Sequence, residues 1–277
     1  MSYNAEISRL NPALIVILLD QSRSMGERFG SSETTRSKAQ GVADALNRLL
    51  QELTIKATKA EGIRDYFYIY TLGYGHPVEP LIPNASIDRP MPISKIADSS
   101  ACIETRQKIM PNGEHVSIRF PVWVNPKNYG WTHMCEGLNR ALSVVKIWKE
   151  SYPNSFPPII FNLTDGGATD GDPRVPAASL RSIIFEDGEP LLINLHLSSR
   201  SSQSIRFPAT PDGIKDKHAK TLFDISSELP QFALNQLTAM GESVKIGSRA
   251  FIFNADLASV ITMLNVGTSP QQTYKGR

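Results

Sequence analysis

Three polar clusters in the chain carry residue types that bind a hard cation. Asp20, Ser22 and Ser24 stand at alternate positions directly after an apolar run, ALIVILL. Thr132 follows Gly130-Trp131, and Asp165 follows Leu163-Thr164. Together they offer two carboxylates and three hydroxyls, with no His or Cys among them. Oxygen donors of this kind suit Mg2+, with water completing its six positions. The set has no third carboxylate, and the sequence places no obvious His or Lys beside it as a base. It is therefore rich in metal ligands and poor in catalytic groups.

Each cluster alone has a plainer reading. An Asp that ends a strand caps the following turn. Asp165-Gly166 is a common turn dipeptide, and Thr132 is a good helix N-cap. All three occur in order, each at the end or mouth of an element, and that coincidence favours a metal site.

The elements that position them follow from periodicity. Leu14 to Leu19 is continuously apolar, as a strand covered on both faces must be. Ala39, Val42, Ala43, Leu46, Leu49, Leu50 and Leu53 recur at helical spacing, with Ser37 and Gln40 as a capping box and Gly62 as the expected stop. Tyr66 to Leu72 is a strand rich in aromatic residues. His76 to Tyr129 is an irregular segment with eight prolines, read as an insertion forming a wall of the metal face. Asn112-Gly113 signals a hairpin within it, followed by alternation at Val116, Ile118 and Phe120.

Beyond the insertion, Met134, Leu138, Ala141, Leu142, Val145 and Trp148 mark a helix. Ile159 to Leu163 is a buried strand, and about Pro173 to Phe185 a helix. Leu191 to Leu197 is a strand, and Ser198 to Lys220 a polar loop. Pro230 to Met240 is a helix, Ala250 to Phe253 a strand, and Leu257, Val260, Ile261 and Leu264 a last helix before a frayed tail from Thr268. This alternation predicts an α/β fold, Rossmann-like and doubly wound, with a mainly parallel sheet flanked by helices. Residues 1–277 are read as one domain carrying the insertion at about 76–129.

Composition narrows the partners. Lys plus Arg is 29 against 27 Asp plus Glu, which argues against nucleic acid or an anionic membrane held by bulk charge. The two cysteines, Cys102 and Cys135, are too few for a disulfide scaffold. The N-terminal segment has no leader pattern and the apolar run is too short to span a bilayer, so a cytoplasmic location is expected.

Asp20-x-Ser22-x-Ser24, a Thr in Gly-x-Thr-x-Met, and Leu163-Thr164-Asp165-Gly166 resemble the von Willebrand factor A (vWA) family and its metal-ion-dependent adhesion site. The resemblance covers about Ala13 to Val266. It implies Mg2+, with Mn2+ or Ca2+ as substitutes, held by Asp20, Ser22, Ser24, Thr132 and Asp165. It also implies a protein partner that supplies an Asp or Glu to the ion, and no catalysis. Phe120-Pro121-Val122-Trp123 and Phe253-Asn254-Ala255-Asp256 resemble bacterial cytosolic members from stress-response or conflict systems, which have kinase and phosphatase partners. The chain departs from the family pattern at Arg23, where Gly is common, and at Trp131, in place of a second Gly.

Competing readings are weaker. A Mg2+-dependent phosphoryl hydrolase with Asp20 as nucleophile needs a second carboxylate two residues on, and Ser22 stands there. No GxxxxGK[ST] loop is present. A secreted adhesin of the same fold needs a signal peptide. A purely structural domain has no need of the intact ligand set.

Overall fold

A strand that is apolar at every position needs cover on both faces, because successive side chains point to opposite sides. That is how β1 (Ala13–Leu19) is placed in the computed structural model, which describes residues 3–29, 36–110, 113–197 and 204–268. Ala13, Ile15, Ile17 and Leu19 enter one hydrophobic core, while Leu14, Val16 and Leu18 enter a second.

Helix α1 (Lys38–Ala57) begins at the expected capping box. Ser37 accepts from the Gln40 backbone, and the Gln40 side chain accepts from the Ser37 backbone. It ends before Gly62. That glycine, at φ +120°, instead starts the second strand of a short hairpin, β2 (Thr58–Lys59) and β3 (Gly62–Ile63). Strand β4 (Phe67–Tyr74) runs beside β1 and continues two residues past Leu72.

The 76–129 segment is ordered by several short elements. β5 (Val78–Pro80) and β6 (Met91–Pro92) pair antiparallel with β4, and α2 (Ile93–Ala97) follows. The expected alternation at Val116 to Phe120 lies in β8 (His115–Val122), paired with β7 (Cys102–Ile109) as a separate ribbon. Asn112, half of the hairpin signal, lies outside the described residues. The ribbon's exit is anchored to α1 by buried Asn47, whose side chain accepts from the Trp123 and Val124 backbones and donates to the Val124 carbonyl, each at 2.9 Å.

The remaining elements are α3 (Met134–Ser151), β9 (Ile159–Thr164), α4 (Arg174–Arg181) and β10 (Leu191–Leu197). After these come β11 (Ile205–Arg206), α5 (Lys217–Ile225), α6 (Gln231–Ala239), β12 (Phe251–Ala255) and α7 (Leu257–Thr268). Pro173 is the N-cap residue of α4, and that helix stops at Arg181, short of Phe185. The stretch read as a polar loop to Lys220 contains β11 and the start of α5. Asp216 caps α5 by accepting from Ala219 N at 2.8 Å, and Ala219, Leu222, Phe223 and Ile225 are its buried stripe. Residues 30–35, the first part of the loop expected from Ser198 (198–203) and the tail 269–277 lie outside the described residues.

The sheet order is β11-β12-β10-β9-β1-β4-β5, with β6 also against β4. The five central strands are parallel and only the outer ones antiparallel. Residues of α1, α6 and α7 pack in one core, and residues of α3, α4 and α5 in the other. The chain runs outward from β1 to β4 in one direction and from β9 through β10 to β12 in the other. Winding therefore reverses between β1 and β9, where open α/β sheets keep their ligand crevice, outside the carboxyl ends of the strands.

Candidate functional site

Asp20 follows β1 and Asp165 follows β9, so the two carboxylates flank the reversal point. The chain after Asp20 folds back as a 3-10 turn at Arg23–Gly26. That turn brings Ser22 Oγ to 3.1 Å from Ser24 Oγ, and Ser24 Oγ donates to Asp165 Oδ1 at 2.8 Å. Asp20 Oδ1 accepts from Ser22 N at 2.7 Å and Oδ2 accepts from Thr164 Oγ1 at 2.6 Å. Four of the five residues singled out from sequence are thus joined in one hydrogen-bonded cluster.

Thr132 reaches the same edge through its backbone. Its N–H donates to Thr169 Oγ1 at 3.1 Å, and its carbonyl accepts from Thr169 N at 2.9 Å and from Thr169 Oγ1 at 3.0 Å. The N-cap role expected of Thr132 is not the one observed. His133 is the N-cap residue of α3 and makes no side-chain cap. The carboxylate of Asp170 caps that helix across the turn, accepting from Cys135 N at 3.1 Å and Glu136 N at 2.9 Å. The Thr132 side chain is therefore spared from capping. Asp170 was not evident from sequence, because a cap supplied from the loop after another strand leaves no local spacing to read.

The two carboxylates differ in their surroundings. Asp20 is fully buried among neutral donors, and desolvation pushes its pKa up to about 6, against the opposing hydrogen bonds from Ser22 and Thr164. The Asp165 side chain, 1% exposed, meets a cation: Lys38 Nζ lies 2.6 Å from its Oδ2. Lys38 is itself only 3% exposed and also pairs with Glu27 at 3.0 Å. No Lys is evident beside the set from sequence, and Lys38 stands there in the fold. The available signal was a Lys as the first residue of a helix, directly after the Ser37 cap.

The donor chemistry fits a hard cation, since every side-chain oxygen in the cluster is a carboxylate or a hydroxyl. Among the described residues, no group of three or more His, Cys, Asp or Glu side chains gathers as an alternative metal centre. The rim is aromatic and basic. Trp131 is 67% exposed, Arg23 is exposed, and the His76 and His133 rings stand 4.8 Å apart. The 76–129 segment returns here as well. Tyr129 N donates to the Gln21 carbonyl at 2.7 Å, and Gly130, at φ +80°, packs against the His76 backbone. Both ends of the 76–129 segment therefore meet beside the Asp20–Ser24 turn. Cys135 is buried and Cys102 exposed, both as free thiols.

No family model matches the chain, and no curated protein matches it. Solved structures do. The vWF domain of the type V pili tip protein Mfa5 from Porphyromonas gingivalis is 16% identical, with a TM-score of 0.31 over 57% of this chain and 39% of that one. The ArnB paralog VWA2 from Sulfolobus acidocaldarius is 14% identical, with a TM-score of 0.33 over 68% and 36%. The PilB minor pilin from Streptococcus sanguinis is 10% identical, with a TM-score of 0.46 over 92% and 60%. In each case the match spans less than two thirds of the other chain. The architecture is α/β, with a mainly parallel central sheet and helices on both faces. No helix among the described residues is long and apolar enough to cross a membrane.

Proposed function

We propose that this chain is a non-enzymatic protein-interaction module of the vWA type that binds a partner carboxylate through a divalent ion. Asp20, Ser22, Ser24, Thr132 and Asp165 would hold the ion, Mg2+ first among candidates. The observation that carries the reading is the continuous run of oxygens from Ser22 through Ser24 to Asp165 at the winding reversal, with the Thr132 side chain spared from capping α3. The ion supplies a positive charge for an incoming Asp or Glu of the partner. The protein's own residues hold it and exclude competing ligands from the sheet side, where Asp20, Ser22 and Thr164 are buried.

The exposed rim sets which carboxylate is accepted. Arg23 offers a charge and Trp131 an apolar face beside the ion, so an acidic residue next to an apolar one is the favoured partner motif. The resemblance to bacterial stress and conflict-system members makes kinase and phosphatase proteins of such a system the first partners to try, within the cytoplasm.

Affinity purification in Mg2+ and in EDTA tests the proposal, together with titration of Mg2+ or Mn2+ into the purified chain. The expected result is a partner released by EDTA and lost with Asp20→Ala. A partner retained under both conditions contradicts the metal bridge. Trp131→Ala is expected to keep metal affinity while weakening partner binding, with stability unchanged to within about 0.5 kcal/mol because the side chain is exposed.

A further inference from the structure

Lys38 is out of place by two physical criteria. Lysine is almost never fully buried unless paired, because its ammonium loses hydration, yet Lys38 is 3% exposed. It is also the first residue of α1, where the helix dipole disfavours a cation. Both penalties are incurred beside one group, Asp165, whose Oδ2 it meets at 2.6 Å. Glu27, 58% exposed, meets the same ammonium at 3.0 Å.

We propose that Lys38 is a tethered counter-ion that a divalent cation must displace from Asp165, so that this residue sets the metal affinity of the site. The inference rests on the metal-site reading above and adds a regulator to it. With the ammonium in place, the buried carboxylate is already neutralised, and the cluster is stable without metal. A divalent ion gains Asp165 only by breaking that pair. Glu27 gives the released ammonium a carboxylate nearer solvent, which lowers the cost of the exchange. The site then discriminates by charge density: a divalent ion outcompetes the amine, and Na+ or K+ does not.

Removing Lys38 and removing its exposed partner Glu27 make opposite predictions, which separates competition from simple support of Asp165. Mg2+ and Mn2+ are titrated calorimetrically into wild type, Lys38→Met, Glu27→Gln and Asp20→Asn, each with its thermal midpoint in EDTA and in excess Mg2+. Lys38→Met keeps the apolar stem and removes the charge. It is expected to tighten metal binding by about tenfold or more, and to show a larger Mg2+-induced rise in midpoint than wild type. Glu27→Gln is expected to weaken binding, because the ammonium then has Asp165 as its stronger partner. Unchanged or weaker affinity in Lys38→Met overturns the proposal and makes Lys38 a support for Asp165. If Lys38→Met does not fold, Glu27→Gln decides: weaker binding supports competition, and equal or tighter binding overturns it. Asp20→Asn tests the underlying site separately. Metal binding that survives in Asp20→Asn removes the site, and the role of Lys38 with it.

Discussion

Asp20 and Asp165 end adjacent parallel strands and belong to one cluster, yet they are solved in opposite ways. Asp20 is surrounded by neutral donors, and burial raises its pKa to about 6. Asp165 is paired with a buried ammonium. A strand-end carboxylate is therefore not one electrostatic object: its partner on a neighbouring element decides whether its charge is tolerated or compensated. One consequence is that the two positions respond differently to loss of charge, although both would be ligands.

The largest contrast comes from neutralising each in turn. Asp165→Asn leaves Lys38 buried with, among the described residues, the exposed Glu27 as its remaining ion-pair partner, and is expected to lose about 3 kcal/mol in urea unfolding in EDTA. Asp20→Asn removes a charge that burial already opposes, and is expected to unfold no earlier than wild type, gaining about 1 kcal/mol. Both are expected to lose Mg2+ binding. Equal destabilisation of the two variants would break the comparison.

A third strand end sharpens it with a histidine. His196, on β10 beside Thr164, is buried, and desolvation holds its imidazole down at about 4 from 6.5. The Asn254 N–H donates to its Nδ1 at 3.4 Å, an arrangement for the neutral ring. A folded-state pKa below the unfolded one means that the unfolded chain takes the proton first. The His196 contribution is thus complete above about pH 6.5 and is lost as pH falls toward 4, by up to ~3 kcal/mol. Asp20 has the opposite sign, its raised pKa favouring the folded state as pH falls from about 6. The measurement is therefore the difference between wild type and His196→Gln in urea unfolding from pH 7 to 4. A constant difference across that range would remove His196 from the acid response.

A smaller effect is expected from the cap. Asp170→Asn weakens the acceptor for Cys135 N and Glu136 N, and is expected to cost about 1 kcal/mol. Because Thr169, its neighbour, carries the Thr132 backbone contacts, metal affinity should fall alongside. A stability loss with unchanged metal affinity would uncouple the α3 start from the site.

Much of this arrangement was legible in the chain. The seven-residue apolar run of β1 reads as a strand with cover on both faces, and Asp20, Ser22 and Ser24 directly after it are then placed at the carboxyl edge. Ser37 and Gln40 announced α1 by their local spacing. Helix α5 was hidden because its buried stripe is short and its approach is polar, so only packing against β10 and β12 reveals it. Asn162, inside an otherwise apolar strand, gave no warning of its partners. Its amide accepts from the Tyr74 hydroxyl at 2.7 Å and donates to Asn194 at 2.8 Å, tying β4, β9 and β10 together beneath the site.

The sequence by itself determined the main strand-helix alternation apart from α5 and β11, the side-chain period of the sheet and the oxygen-only character of the candidate ligands, because each depends on neighbours along the chain. Only the tertiary structure decided that Lys38 meets Asp165 across 127 positions, that Asp170 caps α3 in place of Thr132, and that the end of the 76–129 segment meets Gln21. Those contacts join residues distant in sequence, and their energies come from burial and pairing that no local pattern encodes.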